Sequence, residues 1–163
     1  MNPNSQERLE AAQLEAVNSG DATAFLMAEH DWLRSVLEEM KARVSGRQFE
    51  LLRTSLPSVS QRLDLHIRKE EEVPFPAIEP QMLESGQGST FDMYGEHDAI
   101  RIRRDELVRA LEAQSDISGS FAALERSITI HFDNEEDLIF ADAPGWLTQE
   151  QGAILIQQMQ ALT

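Results

Sequence analysis

The sequence predicts an all-α fold, a bundle of two repeated helical hairpins with additional short terminal helices, and three observations predict it. Apolar residues recur at alternating steps of three and four along four segments, the period of a helix packed on one face. Stretches rich in Gly, Pro and Ser separate those segments. Short motifs of the first hairpin return, in the same order, in the second.

Leu26, His30, Leu33, Leu37, Met40 and Val44 share one stripe, predicting a helix from about Asp21 to Val44 with Gly46 as its stop. Phe49, Leu52, Leu56, Val59 and Leu63 continue through His66, Glu70 and Val73 as a second helix, which Pro57 should kink or split. A third, opened by Ser89 or Thr90, carries Met93, His97, Ile100, Leu107 and Leu111, with Arg104 as its polar exception. The fourth carries Ile117, Phe121, Leu124, Ile128, His131, Glu135 and Leu138. The short connections "VSGR" and "AQSDISGS" make antiparallel hairpins, and the longer "PFPAIEPQMLESGQGS" joins them. Thr148 and Gln151 have capping-box spacing, so a short C-terminal helix follows, while residues 5–18 form a peripheral helix or fray.

A chain of 163 residues, 41% hydrophobic, suits one domain with a substantial core. A formal charge of -15 repels phosphate backbones and anionic lipid, which argues against nucleic acid and membrane as partners. With no Cys, any metal must be held by nitrogen and oxygen. The opening "MNPNSQERLEAAQLE" has neither a basic nor an apolar leader region, and no run approaches the roughly 18 apolar residues of a membrane span. A cytoplasmic protein is the expectation.

"EHDWLR" returns as "EHDAIR", and "HIRKEEEVPF" as "HFDNEEDLIF". An isolated His on an apolar face is usually a hydrogen-bonded core residue, but here all 4 histidines fall on seams, in register with their repeat partners. A carboxylate on a seam costs several kcal/mol of desolvation unless a cation offsets it. Residues one turn apart lie about 40° from each other round a helix, so His66 with Glu70, and His131 with Glu135, can serve one small volume. Glu71 and Glu136 swing about 140° away, onto a solvated face or behind the ligands as acceptors. Asp31 and Asp98 are expected to be exposed or to orient arginines. A tetrahedral zinc site would leave two of these buried groups unexplained, whereas two octahedral ions use a histidine pair each and both glutamates as bridges. An oxo, hydroxo or water bridge then leaves at least one position per ion open. Imidazole and carboxylate without thiolate suit iron best, with manganese and zinc as competitors.

At these residues the sequence resembles the hemerythrin-like, HHE cation-binding domains, over residues 21–142, with residues 1–20 as an extension and a terminal helix within 143–163 of a single domain. The resemblance implies an up-down-up-down four-helix bundle around a non-haem di-iron centre able to bind oxygen, nitric oxide or peroxide. By position, the ligands it implies are His30, His66, Glu70, His97, His131 and Glu135. Oxygen-carrying members place a further His one turn after the third-helix ligand, where this chain has Arg101, and end on His-x4-Asp, where it has Glu135 at i+4. One nitrogen ligand fewer implies a more open site. Three functions fit: a binding, storage or sensing module for iron or a small ligand; an enzyme reducing peroxide or nitric oxide or supplying iron for cluster repair; and a metal-free interaction module. A homodimer or a separate protein partner would carry any signal. Tyr94 faces the pocket or packs at the bundle end, Trp32 packs off the metal face, and Arg101 and its counterpart Arg34 reach for acidic groups at the rim.

Overall fold

The computed structural model describes residues 3–162, so Met1, Asn2 and Thr163, at the tips of the expected extension and C-terminal helix, lie outside the described residues. Helix α1 (Pro3–Ser19) turns at Gly20, whose φ of 66° favours glycine, into α2 (Ala22–Ser45). Asp21 starts α2 because its carboxylate accepts the N–H groups of Thr23 and Ala24 at 3.1 and 2.9 Å. Gly46 follows its end, and α3 (Phe49–Glu72) runs back alongside. Helix α5 (Phe91–Ala113) and α6 (Ile117–Glu135) form the second hairpin, and the order round the bundle is α2, α3, α5, α6. No strand occurs among the described residues.

One local expectation is narrowed and another corrected. Pro57 does not split α3, which stays continuous while Leu52, Leu56, Val59 and Leu63 bury on either side. The packed seam holds the helix together despite the missing N–H. Leu138 is 58% exposed instead of lying on the seam, because α6 passes at Glu136–Phe140 into a π-helical turn that brings Ile139 and Phe140 inward instead.

The stretch between the hairpins is not all loop: Pro74–Ser85 form α4, with Pro74 in the first turn, where its missing N–H costs nothing. Val73 precedes it at φ -121° and ψ -77°, outside the helical region that a residue before proline avoids. A proline break in one repeat and a π turn in the other thus deliver Phe75 and Phe140, which occupy equivalent places in the repeated motif, to the same end of the bundle. Short α7 (Ala143–Trp146) leads to α8 (Gln149–Ala161), opened by the expected Thr148–Gln151 capping box and packed on α1 and α2. Among the described residues, no helix is long and apolar enough to cross a membrane.

The apolar interior falls into two parts. One lies between the four long helices and includes Leu33, Leu37, Leu63, Leu107 and Phe132. The other caps the bundle end with Leu26, Phe75, Met93, Phe140 and Ile156. A Cβ on Gly152 of α8 would stand 2.0 Å from the Gly20 carbonyl oxygen, so Gly152→Ala should push α8 off this turn and cost about 1–3 kcal/mol in urea unfolding. Unchanged stability would mean that this contact does not hold α8 in place.

Candidate metal centre

Because α2 and α5 begin, and α3 and α6 end, at the capped end of the bundle, their seam histidines and glutamates meet in one layer there. His30, His66, Glu70, His97, His131 and Glu135 are each no more than 1% exposed. The structure brings all six expected residues together. They form two donor groups, His30–His66–Glu70–Glu135 and Glu70–His97–His131–Glu135, in each of which one atom per residue lies within 4.8 Å of the others. Glu70 and Glu135 belong to both.

Each imidazole is fixed from behind. Nδ1 of His30, His66, His97 and His131 donates to Glu136, Glu29, Glu71 and Glu96 at 2.8, 2.9, 2.9 and 3.1 Å. An ionised carboxylate only accepts, so every Nδ1 carries a proton and every neutral ring turns an Nε2 lone pair inward. His97 Nε2 and His131 Nε2 are then 3.0 Å apart, and His30 Nε2 is 3.5 Å from Glu70 and 3.3 Å from Glu135. His66 Nε2 approaches Glu70 to 2.8 Å without hydrogen-bond alignment, and both oxygens of Glu70 and of Glu135 also lack a hydrogen-bond partner. Lone pairs packed this closely repel unless a proton or a metal ion sits among them.

Without metal, protons are drawn in. Burial works against a charged His66, but the nearby Glu70 charge and the hydrogen bond to Glu29 raise its pKa to about 9. His30 is held well above its ordinary value and His131 above it, again against burial, by Glu135 and Glu136 for the first and by Glu70 and Glu135 for the second. Burial would raise Glu70 too, yet His66 holds it well below the usual carboxylate range, while burial and the Glu70 charge push Glu135 up. The Glu136 carboxylate stays near 2 despite burial, because His30 and Arg34 bond it.

Glu71 and Glu136 thus stand behind His97 and His30 and not on a solvated face. Arg101 bonds both oxygens of Glu71 at 3.0 Å, and Arg34 reaches Glu136 at 2.7 Å. Asp98 lies 3.1 Å from Arg101 and Asp31 3.9 Å from Arg34, as orienting groups would. Tyr94 turns its hydroxyl to the Glu71 carbonyl at 3.4 Å and packs on Phe75, away from the donor atoms. Trp32 lies in the bundle interior under the Arg62 guanidinium. Phe132 stacks on His30 at 3.9 Å and Phe75 on His97 at 5.8 Å, closing the layer from the two apolar sides.

Sequence reasoning missed Glu29 and Glu96. Each precedes a ligand-type histidine in "EHD", but serves the histidine one helix away, which spacing along a single helix cannot reveal. The repeated "EHD" was the available signal. Behind them sit Lys69, bonded to Glu29, and its counterpart Asn134, bonded to Glu96 at 2.7 Å. The arrangement suits metal binding: inward nitrogen and oxygen donors, buried, oriented, and with no hydrogen-bond partner outside the layer. The family described as Hemerythrin HHE cation binding domain matches residues 21–143. Among curated proteins, and among solved structures, nothing matches the chain at a significant level.

Proposed function

The chain belongs to the hemerythrin HHE cation-binding family, and we propose from this and the buried donor layer that it is a non-haem di-iron protein which binds a small diatomic molecule or peroxide. The observation that carries the reading is the inward convergence of four Nε2 atoms, those of His30 and His66 unpartnered and those of His97 and His131 aligned only with each other, on the unpartnered oxygens of Glu70 and Glu135, with every Nδ1 tied to a carboxylate. His30 and His66 would hold one ion, His97 and His131 the other, and Glu70 and Glu135 both. Bound iron would supply redox chemistry and open coordination positions. The chain does the rest: Glu29, Glu71, Glu96 and Glu136 orient the rings, Phe75, Phe132 and Phe140 exclude water, and Arg34 and Arg101 neutralise the outer carboxylates.

Arg101 cannot act as the nitrogen ligand that oxygen carriers have one turn past His97, since a guanidinium stays protonated and here is occupied by Glu71. A binding or sensing role follows more readily than reversible oxygen carriage. The test is to load the protein anaerobically with Fe(II), add oxygen, nitric oxide or peroxide, and record the optical spectrum beside a His66→Ala control. New charge-transfer bands absent from the control support the reading, and identical spectra contradict it. Sustained turnover above the control would shift the assignment from binding to catalysis.

Proton release provides a further check. Metal-free His66 keeps its extra proton up to about pH 9, against an ordinary 6.5, so the metal must displace it below that pH. Affinity should therefore climb as pH rises from 6.5 to about 9. Stability of the metal-free protein has the opposite sign: the His66 contribution is complete below 6.5 and is lost as pH rises through about 9. Calorimetry in buffers of different ionisation enthalpy should show proton release on metal uptake; none would mean that the histidines are already neutral.

A further inference from the structure

The two halves of the centre match in their histidines, glutamates and arginines, and differ in what backs one pair of carboxylates. Glu71 and Glu136 are each backed by an arginine, Arg101 and Arg34. Glu29 and Glu96 are backed unequally: the equivalent positions in the repeated motif hold Lys69 and Asn134. Lys69 is only 8% exposed, its ammonium bonded to Glu29 and lying 5.4 Å from the Phe25 ring centroid, so this charge is not screened away by water. Gln13 from α1 adds a bond to Glu29 at 3.0 Å. No cation accompanies Asn134 among the groups bonded to Glu96.

Among the buried and half-buried groups there are thus two carboxylates and two cations behind His30 and His66, and two carboxylates and one cation behind His97 and His131; Asp31 and Asp133 on Arg34, and Asp98 on Arg101, are exposed, and water screens their charge. An ionised carboxylate on Nδ1 pushes electron density through the ring towards Nε2, and a cation on that carboxylate withdraws it. His131 is therefore the better donor of the pair His66 and His131, and its side of the centre carries one more negative charge among the groups that water does not fully screen. The bridging glutamates serve both sides and cannot offset this difference.

We propose that the two metal positions are inequivalent by charge, that the first ion binds between His97 and His131, and that Lys69 and Asn134 set this order. The proposal rests on the two-metal reading above. Lys69 and Asn134 touch no metal; they are positioning residues that act through Glu29 and Glu96. The difference should amount to about tenfold or more between the two binding steps, the low end of what groups behind metal ligands contribute. Glu96 is 27% exposed, so water screens part of its charge and favours that low end.

The experiment is a stepwise titration of the full chain with Zn(II), a diamagnetic probe, following the imidazole nitrogens by NMR after assignment with single His variants. With one equivalent, the resonances of His97 and His131 should shift, and those of His30 and His66 only with the second. Asn134→Lys, at a partly exposed position, should bring the two steps together, and the exchange Lys69→Asn with Asn134→Lys should reverse their order. Two ions taken up with equal affinity, or the first at His30 and His66, would overturn the proposal alone. An order that Asn134→Lys does not alter in the folded protein would overturn the role of the charge. No metal uptake at all would overturn the two-metal reading and this proposal with it.

Discussion

Glu70→Gln will hold no more than one metal ion per chain, with an affinity lowered more than about 100-fold, beyond the usual effect of changing a group behind a ligand. Glu70 belongs to both donor groups and is fully buried, and its oxygens face His30, His66, His97 and His131 at 3.5, 2.8, 3.2 and 3.9 Å. An amide keeps the shape but removes the charge and one of the two acceptor oxygens. Glu135→Gln should behave the same way, since its carboxylate faces His30 and His131 at 3.3 and 3.4 Å. The adjacent Glu71 and Glu136 are the controls. Their Gln variants should keep both ions, bound about 10–100-fold more weakly because the rings of His97 and His30 lose their carboxylate. Metal-to-protein ratios after dialysis, with circular dichroism to verify folding, decide the matter. Equal losses in all the variants would show that the bridging role is assigned to the wrong residues.

Stripping the metal should leave a helical but looser protein whose melting temperature falls by roughly 10 °C or more. An ion present at about 1,000 times its dissociation constant stabilises the fold by about 4 kcal/mol, and each kcal/mol moves a domain of this size by about 2–4 °C. The helices should survive, because the apolar seams on either side of the centre do not depend on it: Leu33, Leu37, Leu63 and Leu107 pack within the bundle and Leu26, Met93 and Ile156 within the cap. What loosens is the layer between, where lone pairs face one another without a cation. Far-ultraviolet dichroism should change little on chelation, and amide exchange should accelerate around His30, His66, His97 and His131. Complete unfolding on chelation would mean that these seams contribute too little by themselves.

The bundle was legible because its signals are local and repeated. Alternating threes and fours placed the four long helices, and Asp21 and Gly46 marked the ends of one of them. All four histidines and both glutamates of the buried layer could be picked out because polar groups on an apolar seam stand out against the periodicity. What escaped depended on relations that periodicity does not carry. Leu138 was placed on a seam that a π turn had already shifted, and α4 was hidden under a composition that suggests loop. Glu29 and Glu96 escaped because they serve histidines on neighbouring helices, and the unequal Lys69 and Asn134 gained meaning only once those carboxylates were in place.

The most direct test of a two-ion centre is the metal content of the protein purified without chelators, measured by mass spectrometry against an accurate protein concentration. The account predicts iron at close to two ions per chain, falling to at most one in Glu70→Gln. A folded protein that takes up no more than one ion of any metal, even when reconstituted with excess Fe(II), would contradict it.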